Sequence, residues 1–396
     1  MINIGNIKKE IINNKARVSA EIAIEGYNKI LFFETKKENV EYLCADKADG
    51  FLLGLLIAAL KMHSDITVEF PVSERLLYGL TTVLIPALVK MNSEFQSINI
   101  YARHTTAAKK SNKFAGVATG FSCGVDSFYT VLKNIGADIP GSHRLTHLVL
   151  FNTGNFGLEY ETSLREFQKQ IQYIQPACNS LKLPLLWLNS NLMEFVKFPF
   201  GQVHTFCNIA AALILQNLIK TYYYSSGYSV GAFKLNFSDS SHYDLINEIA
   251  LKTEDFEMVS FGGLISRFDK TKYIINSASV NKNLNICVDS ARARKEFNKI
   301  NCSKCYKCIR TMTTLDVLGE LRNYDNVFDL STYYNKKNKY WGQLRYIKWR
   351  TKDEFAADII SQANRLKYPI PKLSYLWMII QGIKNQIDKV KESGNV

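Results

Sequence analysis

Between residues 115 and 220 the chain alternates short apolar runs with amphipathic ones, and this rhythm restricts its fold more than any other feature. Residues 115–121, 146–151 and 185–189 read as strands; 126–133 opens a helix, 158–175 reads as a helix that should stop near Pro176, and 204–220 reads as another. Strands and helices in alternation predict an α/β fold, a mostly parallel sheet with helices on both faces. Such sheets bind ligands beyond the carboxyl ends of their strands, and the first strand of this series ends at Ser122.

The flanking segments read differently. Residues 1–110 form a mixed α+β domain: half-buried strands over 17–24 and 29–34, a buried helix over 49–62, a strand over 66–70, a helix over 73–90 and a closing strand over 98–101. The polar, basic stretch 103–113 reads as a linker to an α/β domain over 114–320. A helical extension follows over 321–396, with helices expected at 311–322, 353–366 and 374–392. The apolar runs 51–60 and 375–380 are too short to cross a bilayer, and the opening residues lack a secretory layout, so a cytoplasmic protein is expected. A net charge of +13, carried mostly by lysine, has two readings: attraction to polyanions such as ATP, tRNA or DNA, or the compositional habit of a chain rich in Lys, Asn and Ile.

The first strand is joined to its helix through Ser122-Cys-Gly-Val-Asp-Ser127. The turn suits a polyphosphate. The helix offers free N–H groups and the positive end of its dipole, Gly124 lets the backbone approach oxygens, and Ser122 and Ser127 supply hydroxyls. Asp126 can cap the helix or hold Mg²⁺. No Gly-Lys-Ser/Thr follows the glycine, so this is not a Walker A loop. The bland alternative is a Ser/Asp-rich turn that only caps a helix.

Downstream, Cys302-x-x-Cys305-x-x-Cys308 follows Cys287 by fifteen positions. In a reduced compartment this spacing favours a metal over disulfides, and four thiolates suit a closed structural Zn²⁺ site; an iron–sulfur cluster and plain buried thiols are the rival readings. Lys304, Lys307 and Arg310 would offset its negative charge. Cys44, Cys178 and Cys207 read as core residues.

The turn resembles the signature of the PP-loop ATP pyrophosphatases, Ser-Gly-Gly-x-Asp-Ser: Ser122, Gly124, Asp126 and Ser127 match it, and Cys123 stands where the family usually has glycine. A PP-loop followed by Cys…Cys-x-x-Cys-x-x-Cys is similar to the 7-cyano-7-deazaguanine synthases (QueC-like proteins) over roughly residues 114–318. The resemblance implies a HUP-like adenine nucleotide alpha hydrolase fold and an ATP-dependent ligase with Mg²⁺ and Zn²⁺. Such an enzyme activates a carboxylate with release of pyrophosphate and passes it to ammonia or an amine. It further implies that Ser122, Cys123, Gly124, Val125, Asp126, Ser127 and Asn152 meet the nucleotide, with Asp126 and Lys270 catalytic. His204, Asp239, His242 and Arg267 would line the substrate pocket, and Cys287, Cys302, Cys305 and Cys308 would hold zinc. Residues 1–110 and the tail after about Arg322 are additions to a shorter synthase. Oversized QueC-like proteins occur in bacterial antiviral operons, so the partner is a small deazaguanine-like carboxylate or a macromolecular acceptor. A tRNA-modifying PP-loop enzyme and a nucleotide-binding module without activity are the rival readings; Cys123 raises the second. The tail interleaves cations with rings over 333–350, which would either stack on nucleic acid or pack its rings inward and leave lysines in water.

Overall fold

The computed structural model describes residues 1–107, 115–288 and 298–393, with side chains as far as 387. From residue 108 the expected linker lies outside the described residues. The chain divides into two compact units, one of residues 1–121 and 130–263, the other of residues 122–129 and 264–396.

The first unit is α/β, built on a ten-stranded, mostly parallel sheet flanked by helices. Its strands, in chain order, are β1 (Ile2–Ile12), β2 (Lys15–Ile24), β3 (Tyr27–Lys36), β4 (Ile66–Val68), β5 (Val72–Ser73), β6 (Ile100–Ala102), β7 (Thr105–Thr106), β8 (Gly116–Gly120), β9 (His147–Asn152), β10 (Leu185–Ser190), β11 (Ile219–Ser225) and β12 (Glu257–Phe261). They lie in the order β12-β11-β8-β9-β10-β3-β2-β1-β4-β6, while β5 and β7 pair separately. Two tight hairpins make the antiparallel part: Asn13-Asn14 and Glu25-Gly26 all have positive φ, the backbone that two-residue turns between twisted strands require. Antiparallel pairing of β3 with β10 joins strands from residues 1–110 to those of the middle segment in one sheet.

Helix α1 (Asp49–Lys61) is buried on every side except at Lys61, as its uninterrupted apolar sequence predicts. Its packing partner is α3 (Phe200–Ile214): a Cβ on Gly50 would come within 2.8 Å of the Ala210 carbonyl oxygen. Asp49 is wholly buried at the start of α1, accepting bonds from Ser73 and Gln216, with the buried ion pair Lys47–Asp255 in the same unit.

Two sequence expectations change. Helix α2 (Tyr160–Leu181) does not stop at Pro176. The proline costs one bond to the carbonyl of Gln172, both residues being exposed, while Ile174, Ala177 and Cys178 are buried and hold the last turns down. The helix expected over 204–220 runs instead from Phe200 to Ile214, because Ile219 begins a β-branched and aromatic run that pairs with both β8 and β12. The helix expected over 73–90 runs unbroken from Glu74 to Met91, with one turn widened at Leu80–Leu84 just before Pro86.

The described part of the second unit is helical. It holds the turn 122–129, then α4 (Arg267–Ile274), α5 (Tyr306–Val317), α6 (Leu330–Thr351), α7 (Glu354–Arg365) and α8 (Ser374–Ser393). The 22-residue α6 was not anticipated; Asp329 caps it by accepting from Ser331 N–H. Tyr333, Tyr340 and Trp341 of the aromatic tail are buried, Trp341 stacking on Tyr368. Among the described residues no helix is long and apolar enough to cross a membrane.

Candidate functional site: a cation-ringed turn and a four-cysteine knuckle

The second unit brings together the turn Ser122–Ser127 and two of the predicted cations. Cys123 has φ +61° and is buried, so it occupies the left-handed conformation that favours glycine. Its carbonyl accepts from Asn285 N–H at 2.8 Å, which fixes the turn from outside. The Ser122 hydroxyl accepts from Gly124 N–H at 3.3 Å, and the Ser127 hydroxyl donates to the Gly124 carbonyl at 3.0 Å. A Cβ on Gly124 would lie 3.2 Å from the Ser122 Oγ, inside the hollow of the turn. Val125 is buried and anchors the start of the helix Val125–Asn134.

Asp126 pairs with both predicted cations: Arg267 holds its Oδ2, and Lys270 Nζ lies 3.3 Å from Oδ1. Burial works against the carboxylate, but Arg267, Lys270 and Arg310 outweigh it and hold its pKa below the ordinary value. Lys270 is itself 2 % exposed, 5.9 Å from the centre of the Tyr129 ring. Both cations come from α4, whose first turn is capped by the Ser266 hydroxyl accepting from Asp269 N–H.

Sequence reasoning assigned Arg310 only to charge balance around the cysteines. The structure gives it a larger place. It is 7 % exposed, its guanidinium sits 4.1 Å above Phe355 and 5.5 Å from Tyr306, and its Nε has no hydrogen-bond partner. Burial, then repulsion from Arg267, pulls its pKa down to about 10. Desolvation, then Arg310 and Arg267, also lowers that of Lys307. Arg267, Lys270 and Arg310 thus act on Asp126, and Arg267, Lys307 and Arg310 on one another, with Asp353 a second carboxylate acting on Arg310. The available signal was the i, i+3 spacing of Lys307 and Arg310, which sets them one turn apart on α5.

The knuckle lies in the same unit. The sulfurs of Cys287, Cys302, Cys305 and Cys308 all lie within 4.8 Å of one another. Cys302 and Cys308 are 3.8 Å apart, and a tetrahedral zinc with Zn–S bonds of about 2.3 Å sets sulfurs about 3.8 Å apart. Backbone N–H groups of Cys302 and Cys305 point at Cys287 and Cys302 sulfurs, and Ser303 turns the chain between ligands with φ +57°. A hydrogen bond from Cys308 pulls the Cys302 thiol down to about 6. The four residues fit a metal such as zinc. Wholly buried Asn301 braces them, accepting from Ile286 N–H and donating to the Leu284 and Val327 carbonyls. Cys44, Cys178 and Cys207 are buried in the first unit, where burial pushes Cys178 and Cys207 up to about 12.

The remaining predicted residues belong to the first unit. Asn152, at the end of β9, donates to Asn189 Oδ1 at 2.7 Å and to the Ser163 hydroxyl at 3.2 Å; Asn189 in turn donates to buried Glu34. His204 lies between the Tyr224 hydroxyl at 2.5 Å on Nδ1 and Asp239 Oδ1 at 3.0 Å on Nε2. Burial opposes ionisation of Asp239, but His204 outweighs it and keeps the carboxyl below its ordinary range. His242 packs its ring on Tyr228, whose hydroxyl donates to Asp239 Oδ2. Tyr224 was not singled out in the sequence, because a tyrosine in an apolar run reads as core.

The chain matched no protein-family model, no curated protein and no solved structure.

Proposed function

We propose that this chain is an ATP-dependent adenylating ligase of the PP-loop type, resembling the 7-cyano-7-deazaguanine synthases. The observation that carries the reading is the turn Ser122–Ser127, with Cys123 in the left-handed backbone and Asp126 held between Arg267 and Lys270. The helix N-terminus and the turn's backbone receive the phosphates, and Arg267, Lys270 and Arg310 neutralise them. A carboxylate on the substrate attacks the α-phosphorus, the α–β bond breaks and pyrophosphate leaves; ammonia or an amine then displaces AMP. The chain contributes position and positive charge where the leaving group gathers negative charge. Asp126 would hold the Mg²⁺ that accompanies the nucleotide after giving up one of its two cations, and that ion would supply further charge neutralisation. Zinc in the knuckle has a structural part, since a four-sulfur site leaves no open position.

That Cys123 adopts the required backbone weighs against an inactive module. The test is pyrophosphate release from ATP by the full chain, supplied in turn with a deazaguanine carboxylate, tRNA and protein acceptors, with mass spectrometry of each acceptor. Release that needs a carboxylate and disappears in Asp126→Ala supports the reading. Absence of release with every acceptor contradicts it.

A further inference from the structure

The aromatic and basic residues of α6 divide between two faces. Tyr333, Tyr340 and Trp341 are buried, whereas Gln343, Tyr346 and Arg350 line a cavity of about 520 Å³. Lys304 and Tyr306 by the knuckle, and Gln381 of α8, form other parts of its wall. This volume falls within the roughly 300–1,000 Å³ typical of small-ligand sites.

The wall has a definite chemistry. Two phenol rings, two cations and several carboxamides line it, and among the described residues of the wall none is acidic. The Tyr306 ring is held rigidly, its hydroxyl donating to Asp353 at 2.6 Å with the Arg310 guanidinium 5.5 Å from the ring centre. Tyr346 is braced against α8 at Gly382, where a Cβ would lie 3.4 Å from the ring. The two helices also pack closely one turn earlier, at Gly342, where a Cβ would fall 2.5 Å from Trp377 Cβ. Gln343 donates to Gln381 Oε1 at 3.5 Å and Gln381 donates to Asn385 Oδ1 at 2.8 Å, so the carboxamides form one polar chain along the wall.

Rings that stack, carboxamides that read polar edges and cations that meet an anion are what a nucleotide needs. We propose that this cavity binds one nucleotide unit, its base against Tyr306 and Tyr346, its polar edge met by Gln343 and Gln381, and its phosphate facing Lys304 and Arg350. The site is distinct from the Ser122–Ser127 turn, and it absorbs the cation–aromatic pattern of the tail that adenylation leaves unused.

Hydrogen–deuterium exchange on the full chain tests this, with AMP, a six-nucleotide single strand and inorganic phosphate as separate probes. Protection of residues 343–351 and 381–385 by AMP supports a free-nucleotide site, and protection by the strand alone supports capture of a nucleic-acid end. Tyr346→Ala should weaken that binding at least about fivefold, while Tyr346→Phe retains it. Arg350 is exposed, so Arg350→Ala should fold normally and bind more weakly, with a shallower salt dependence. No protection from either nucleotide probe, or equal protection from inorganic phosphate, would overturn the proposal, as would unchanged binding in Tyr346→Ala.

Discussion

Substituting Cys123 tests whether the turn has the shape on which the phosphate reading depends. The residue sits at φ +61° and is 1 % exposed, so two effects compete. Replacing it with glycine relieves a left-handed strain of roughly 1–2 kcal/mol. The same change loses roughly 1–2 kcal/mol of buried side chain and about 0.5–1 kcal/mol through the freer unfolded chain. Cys123→Gly should therefore be destabilised by about 1 kcal/mol, and by no more than about 2 kcal/mol. Cys123→Ala keeps the strain and loses the sulfur, and should fall by a similar amount. Cys123→Val keeps apolar burial but forces a β-branched side chain into the left-handed region and overpacks the pocket, for a loss of about 2–4 kcal/mol. Urea midpoints at constant slope give the ranking, and equilibrium binding of ATP should follow it, with glycine retaining affinity and valine losing it. A valine variant that unfolds at the wild-type midpoint and binds ATP normally would refute the left-handed assignment.

Other substitutions probe the surroundings of the turn. The Asp126 carboxyl has a folded pKa below its unfolded value of about 4, so its stabilisation is complete above that pH and disappears as pH falls through the lower folded value. Asp126→Asn should therefore lower the midpoint at neutral pH and flatten the acid limb of midpoint against pH; an unchanged acid limb would contradict the pairing with Arg267 and Lys270. Asn301→Ala leaves the Ile286 N–H and the Leu284 carbonyl without their partner and should cost about 2–5 kcal/mol, read by chemical unfolding. Zinc analysis should find one ion per chain; a strong chelator, or Cys302→Ser, should remove it and lower the melting temperature, whereas full stability after metal loss would deny the knuckle its structural part.

The sequence made the α/β class legible because its signal is local: β8, β9 and β10 are short apolar runs, and α1 is apolar on every side. It did not show that β3 pairs with β10, since pairing between distant strands leaves no mark in either strand's composition. Strand β11 was hidden because Ile219–Ser225 follows the apolar end of a helix without a glycine or proline to separate them. Helix α6 was hidden for a similar reason, its buried rings being spaced among lysines that mask any apolar stripe. At the candidate site, the turn and the four cysteines could be read from spacing alone. That Asp126 pairs with Arg267 and Lys270 was not legible in the sequence, because more than a hundred residues separate them. The role of Arg310 needed the fold: burial and the ring of Phe355 distinguish it from a surface arginine.

Calorimetric titration of ATP into wild-type protein and into the Arg267→Ala/Lys270→Ala double variant bears most directly on whether the turn holds a triphosphate. Two charge-assisted contacts worth about 1.5–3 kcal/mol each predict at least about a hundredfold loss of affinity in the variant, with circular dichroism unchanged. Wild-type protein should also prefer ATP to AMP at this site. Equal ATP affinity in the folded double variant would contradict the assignment.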